Sequence, residues 1–213
     1  MLLCAATEFE IKPAIDFIQK QKLNDIDILI TGVGLTAATY TLTRKIYMKK
    51  PTLIIQAGIA GCFDEKLSLA EVVVVKNEII GDMGVEENGR FNSLFDLKLN
   101  DENVFPWTNG RLCNNSEIFR QVNLPMVDSV SINEISTSEK RINYYKNILK
   151  ASIESMEGAA LHYVALMEKI PFLQLRSLSN FVGERDKNKW LMKEAITNLN
   201  LELQDLILKL TRS

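Results

Sequence analysis

Residues 53–61, Leu53-Ile54-Ile55-Gln56-Ala57-Gly58-Ile59-Ala60-Gly61, with Glu71-Val72-Val73-Val74-Val75 shortly after, decide the fold class of this chain. The first begins as a continuous apolar run behind Pro51. The second is the strongest β signal in the protein. Neither alternates apolar with polar residues, so both are expected to be covered on two faces, as in a mostly parallel sheet with helices on either side. The glycines of 58–61 are read as the end of their strand. Outward from there, residues 2–6 and 27–31 are strand-like. Residues 8–20, with Phe9, Ala14, Phe17 and Ile18 on one side, and 35–49 have helical spacing. Residues 84–116 are irregular, rich in turn formers, and expected to hold short strands and oligomer contacts. Strands are expected at 126–132, near 153 and at 172–178, and helices at 138–150, 156–169 and 189–210. Alternating strands and helices, without repeat or linker, predict one three-layer α/β domain over residues 1–213.

Bulk composition narrows the function. The 25 basic and 27 acidic residues are mixed along the chain, leaving no basic block for nucleic acid or an anionic membrane. Cys4, Cys62 and Cys113 lack CxxC spacing and read as reduced thiols; one histidine, His162, excludes a histidine-rich metal centre. No metal or cofactor is expected. The N-terminus has no basic segment leading into a long apolar stretch, and no run reaches the ~18 residues of a membrane span, so a cytoplasmic location is expected.

Polar groups at strand ends mark the candidate site, because ligands of α/β sheets bind there. Glu154-Ser155-Met156-Glu157-Gly158-Ala159-Ala160 sets a carboxylate beside small residues at a helix start. Arg176-Ser177-Leu178-Ser179-Asn180 closes an apolar strand with an amide. Glu157 is also compatible with a plain acidic helix start. So are Glu8 and Glu10, unless Glu10 faces Glu157, in which case two carboxylates can divide the work of activating water and holding a sugar. Gly32-Val33-Gly34 lacks the third glycine of a dinucleotide fingerprint, leaving a tight turn into a packed helix or a loop offering its amides to a small ligand. His162 lies five residues beyond Glu157, off its face, and reads as a packed or surface histidine. That placement disfavours a Ser-His-Asp hydrolase. Residues 183–187 form a solvated loop or a flap carrying Arg185 to a carboxylate.

Taken in order, Ala5-Ala6-Thr7-Glu8-Phe9-Glu10, Thr31-Gly32-Val33-Gly34, Gln56-Ala57-Gly58-Ile59-Ala60-Gly61, Ser155-Met156-Glu157-Gly158-Ala159 and Ser179-Asn180 resemble the nucleoside phosphorylase and nucleosidase superfamily. The resemblance implies a three-layer α/β/α sandwich around a central mixed, mostly parallel sheet, and a homodimer or larger homo-oligomer acting on a small nucleoside. The N-terminal block is similar to that of methylthioadenosine/adenosylhomocysteine nucleosidases rather than to the Gly-Asp-Pro loop of hexameric phosphorylases. Hydrolysis is therefore implied, with Glu10 handling water, Met156 and Glu157 holding ribose, and Gly58, Ile59 and Ala60 lining the water and ribose side. Adenine-releasing nucleosidases carry aspartate where this chain has Asn180. An amide cannot act as that acid but pairs well with a 6-oxopurine. The 177–186 stretch and the Met-Glu-Gly-Ala run resemble futalosine hydrolases, which free hypoxanthine from futalosine in an alternative menaquinone pathway. On that resemblance Ser179 and Asn180 sit at the base and Asn133 is a candidate for the base pocket; no family motif assigns Arg185, which is a candidate for the aromatic carboxylate of futalosine on its charge alone. An adenine nucleosidase, a 6-oxopurine nucleoside phosphorylase and a non-catalytic nucleoside sensor are the alternatives.

Overall fold

Two sets of apolar side chains leave the central sheet in opposite directions, one residue apart along each strand. Leu3, Ala5, Ile55, Ala57, Leu173 and Leu175 form one core with Ile11, Ala14, Leu199 and Leu203, whereas Leu2, Cys4, Ile54 and Phe172 form another with Leu42, Ile46 and Leu161. The computed structural model describes residues 1–212. In chain order the elements are β1 (Leu2–Ala5), α1 (Glu8–Lys20), β2 (Asp27–Ile30), α2 (Leu35–Met48), β3 (Ile54–Cys62) and β4 (Val72–Ile80). Then come β5 (Gly84–Glu87), β6 (Arg90–Ser93), β7 (Trp107–Thr108), β8 (Arg111–Cys113), β9 (Met126–Ser131) and α3 (Glu139–Asn143). The chain closes with β10 (Ile153–Ser155), α4 (Gly158–Met167), β11 (Phe172–Phe181) and α5 (Met192–Arg212). Helices α1 and α5 thus cover one face of the sheet and α2 and α4 the other, the expected three layers.

The sheet is mixed, ordered β2-β1-β3-β10-β9-β4-β8-β7, with β11 pairing both β3 and β4. Five pairs are parallel: β1 with β2, β1 with β3, β3 with β11, β4 with β9, and β9 with β10. Because β11 joins β3 to β4, strands β3, β10, β9, β4 and β11 close a ring. This ring corrects one expectation. Strand β3 does not stop at Gly58–Gly61 but runs on to Cys62, paired with β11 as far as Phe181. Glycines there serve the approach of other side chains rather than chain reversal. The 138–150 helix also differs. Five α-helical residues widen into a π-turn at Tyr144–Ile148, where Tyr144 packs on Phe91 and Tyr145 on Phe63. Among the described residues no helix is long and apolar enough to cross a membrane.

Helix α1 carries Pro13, which has no N–H for the ladder and whose ring crowds the preceding turn. The neighbouring ladder groups are satisfied from another element. Asn200 of α5, buried to 2% exposure, accepts from Ala14 N at 2.9 Å and donates through Nδ2 to the Glu10 carbonyl at 2.9 Å. These are the two groups that an uninterrupted helix would join to each other. Replacing Asn200 by leucine, which fills similar volume, strands both in an apolar layer. The expected loss is roughly 2–4 kcal/mol, read from denaturant unfolding. Unchanged stability would mean that α1 closes its own ladder past the proline.

Candidate functional site

Thr7-Glu8-Phe9-Glu10 has the spacing of a capping box, and one oxygen of Glu10 behaves accordingly. Glu10 Oε2 accepts from Thr7 N at 3.0 Å and Thr7 Oγ1 at 2.9 Å. The other oxygen points elsewhere. Glu10 Oε1 accepts from Ile59 N at 3.1 Å, which places it on the surface of β3 beside Gly58. A helix-start role alone would not require this second contact.

Glu157 is the residue before α4, reached from β10, and is 5% exposed. Its Oε1 accepts from Gly34 N at 2.9 Å, so the Gly32–Gly34 turn offers a backbone amide to a carboxylate of the site as well as leading into α2. Its Oε2 lies 3.7 Å from Arg176 Nη2. Arg176, from β11, is 1% exposed; Nη2 also donates to Gln56 Oε1 at 3.0 Å and Nη1 to the Ile59 carbonyl at 3.5 Å. Gln56 Nε2 in turn reaches the Glu157 carbonyl at 3.5 Å. Gly58 lies between: a Cβ there would collide with Arg176 Nη1 and stand 2.8 Å from Glu10 Oε1. The structure thus gathers Glu10, just after β1, and Glu157, just after β10, around the buried Arg176 and the middle of β3 at Gly58 and Ile59.

The bulge in β11 decides what the strand presents beyond Arg176. Register with β3 shifts between Leu178, opposite Ala60, and Asn180, opposite Gly61, leaving Ser179 as the extra residue. Ser179 Oγ donates to the Ala60 carbonyl at 3.3 Å or to Asn180 Oδ1 at 2.8 Å, and Asn180 Nδ2 donates to the Phe181 carbonyl at 3.0 Å. The Asn180 amide is half-exposed and keeps one N–H and one lone pair free of these bonds. Met156 and Ile59 are half-buried, and Ala60 is buried.

Other expected residues lie apart from this cluster. Asn133 is exposed and held by Asp82, its N at 2.6 Å from Oδ2 and its Nδ2 at 3.2 Å from Oδ1. Arg185 is exposed, with its guanidinium 5.7 Å from the Trp190 ring centre. His162 is on the buried face of α4, Nδ1 at 2.9 Å from the Leu112 carbonyl, and burial pushes its pKa down to about 4. A cavity of about 800 Å³ lies under the 84–116 excursion between Phe91, Arg111, Arg141 and Tyr144, and neither Glu10 nor Glu157 lines it. Four charged groups at it are paired, Glu86 with Lys140 and Arg141, and Arg111 with Asp128 at 2.7 Å. No group of three His, Cys, Asp or Glu among the described residues could hold a metal ion.

Sequence reading missed Arg176 and Gln56. The signal was present: Gln56, Gln174 and Arg176 interrupt runs otherwise buried on both faces, and a fully buried cation requires an acidic partner.

A profile described as the Phosphorylase superfamily matches residues 5–212. Futalosine hydrolase from Thermus thermophilus is 29% identical over 174 residues, covering 80% of this chain and 76% of that protein. A 5'-methylthioadenosine/S-adenosylhomocysteine nucleosidase from Marinomonas sp. is 22% identical over 197 residues, covering 90% and 84%. Among solved structures, a futalosine hydrolase mutant of Helicobacter pylori superposes with a TM-score of 0.76 at 16% identity, covering 99% of this chain and 97% of that one. The fold is therefore shared closely with enzymes of that kind, and over almost its whole length the chain belongs to the phosphorylase superfamily.

Proposed function

We propose that this protein is a nucleosidase that hydrolyses the N-ribosidic bond of futalosine, releasing hypoxanthine and dehypoxanthinyl futalosine. The observation that carries the hydrolytic reading is the divided coordination of Glu10: one oxygen is consumed by the helix start, while the other faces Gly58 beside the buried guanidinium. In that position Glu10 takes a proton from water as it attacks the anomeric carbon. Glu157 accepts from the ribose hydroxyls, with Met156 against the sugar. Arg176 sets one positive charge beside Glu157, and Ile59, whose carbonyl accepts from Arg176, holds Glu10 through its amide. Asn180, re-aimed by the bulge at Ser179, donates to and accepts from the 6-oxopurine as negative charge develops on the leaving base. The base departs as the purine anion and takes its proton from solvent, while Glu10 returns its own to water. No side chain forms a covalent bond to the sugar.

Futalosine is preferred over adenine nucleosides because Asn180 has no proton of carboxylic acidity to give, and a polar subsite built for one purine edge leaves unpaired groups against another. The match to the Thermus enzyme supports the same choice. The Marinomonas relative supports the second reading, an adenine-releasing nucleosidase. A homodimer or larger homo-oligomer also belongs to the proposal. Tyr40, Tyr47 and Met48, exposed along α2, offer apolar surface for a second copy.

Futalosine, inosine and methylthioadenosine offered separately in phosphate-free buffer, with free purine followed by chromatography, test the assignment. Hypoxanthine from futalosine alone is expected. Adenine from methylthioadenosine would install the second reading, and release only on adding phosphate would make the protein a phosphorylase. Glu10→Gln is expected to lower kcat by roughly 10²–10⁴-fold with the fold intact. Gly58→Ala, which drives a methyl group into Arg176 and Glu10, is expected to cost at least about 100-fold in kcat/KM, and wild-type turnover in that variant would remove the pair from the mechanism.

A further inference from the structure

Glu78, at the far end of β4, is the one fully buried carboxylate that the proposed chemistry leaves unused. Its two oxygens engage two different elements. Oε1 accepts from Gln174 Nε2 at 2.9 Å, and Gln174 stands two residues before Arg176 on the same face of β11. Oε2 lies 3.0 Å from Ser131 Oγ at the end of β9. Ser131 Oγ in turn accepts from Ala159 N at 2.8 Å, one of the N–H groups that the first turn of α4 cannot satisfy itself. Glu157 is the residue that opens this turn.

The fit around Glu78 is close. Any Cβ on Gly158 would collide with Glu78 Oε1 and with Gln174 Nε2, so the residue next to Glu157 is bare where the carboxyl presses against the helix start. One buried side chain therefore grips the strand that carries Arg176 and, through a hydroxyl, the helix start that carries Glu157.

We propose that Glu78 is a positioning residue: through Gln174 and Ser131 it fixes the Glu157 carboxylate relative to the Arg176 guanidinium. Its effect on catalysis rests on the reading of Glu157 as the ribose clamp; its effect on geometry does not. Burial pushes the Glu78 carboxyl above its ordinary pKa, with the bonds to Gln174 and its serine neighbours pulling the other way. An amide can make both of these bonds, its oxygen accepting from Gln174 Nε2 and its nitrogen donating to Ser131 Oγ.

Three variants test this: Ser131→Ala, which removes only the hydroxyl link; Glu78→Leu, which removes both; and Glu78→Gln, which can keep both. Two readouts are needed. Hydrogen exchange at the Gly34 amide reports the Glu157 carboxylate directly, because Gly34 N donates to it. The ratio of kcat/KM for futalosine over 2′-deoxyfutalosine reports the ribose clamp, with Glu157→Gln as its reference. Folded Ser131→Ala and Glu78→Leu are expected to exchange Gly34 about tenfold faster and to lose about tenfold of the ribose preference, mainly through KM, while Glu78→Gln stays within about twofold of wild type. A wild-type exchange rate at Gly34 in folded Ser131→Ala overturns the proposal. So does a Glu78→Gln variant as damaged as Glu78→Leu. If the wild-type protein itself shows no ribose preference, the function assigned to Glu157 fails, and the Gly34 amide still decides whether Glu78 positions it.

Discussion

A guanidinium with almost no contact with water is the constraint around which this molecule is arranged. Arg176 is 1% exposed, and a buried cation is tolerable only when acceptors surround it. Gln56 from β3, the Ile59 carbonyl and Glu157 from the β10–α4 junction meet that need. Each requirement then propagates. Gly58 must be bare to admit the side chain, β3 must remain extended past its glycines to present the Ile59 carbonyl and amide, and Glu157 must sit at the first turn of α4. The same Ile59 amide holds Glu10, so one buried charge organises both carboxylates.

The ring of strands supplies the rigidity that such a charge needs. Strand β3 pairs with β1 near its start, with β10 near its end and with β11 throughout, which leaves its middle residues little freedom. Within that frame the one irregularity beside the site, the bulge at Ser179, turns the end of β11 without displacing Arg176. Rigid strand and local irregularity have separate tasks: the first fixes the ionic groups, and the second directs an amide toward a base.

The layers were legible in the sequence because they depend on local apolar spacing. The runs at 53–56 and 71–75 announced doubly covered strands, and helices were recognised at 8–20 and 35–49. Glu10, Glu157 and Asn180 could be singled out because each follows or ends an apolar strand, where ligands gather. What stayed hidden depends on partners far away in the chain. Arg176 meets Gln56 across 120 positions and Gln174 meets Glu78 across 96, so in one dimension they look like polar defects in apolar strands. The glycines of 58–61 looked like a strand end for the same reason: what demands their small size is Arg176, Glu10 and Val182, none of which is a neighbour in sequence. Asn133 is held by Asp82, 51 positions away, and Arg185 lies over Trp190, contacts that spacing does not reveal.

The amide of Asn200 inserted beside Pro13 has a consequence for biosynthesis. The turn that carries Glu10 is completed by a residue 190 positions later, in the last helix of the chain. Domains form as units during translation, and contacts of such long separation close late. The chain must therefore have left the ribosome as far as α5 before α1 acquires its final ladder. Until then Pro13 leaves that turn under-bonded, and a nascent chain stalled before α5 would display an open helix and the bare apolar face of the sheet that α5 normally covers.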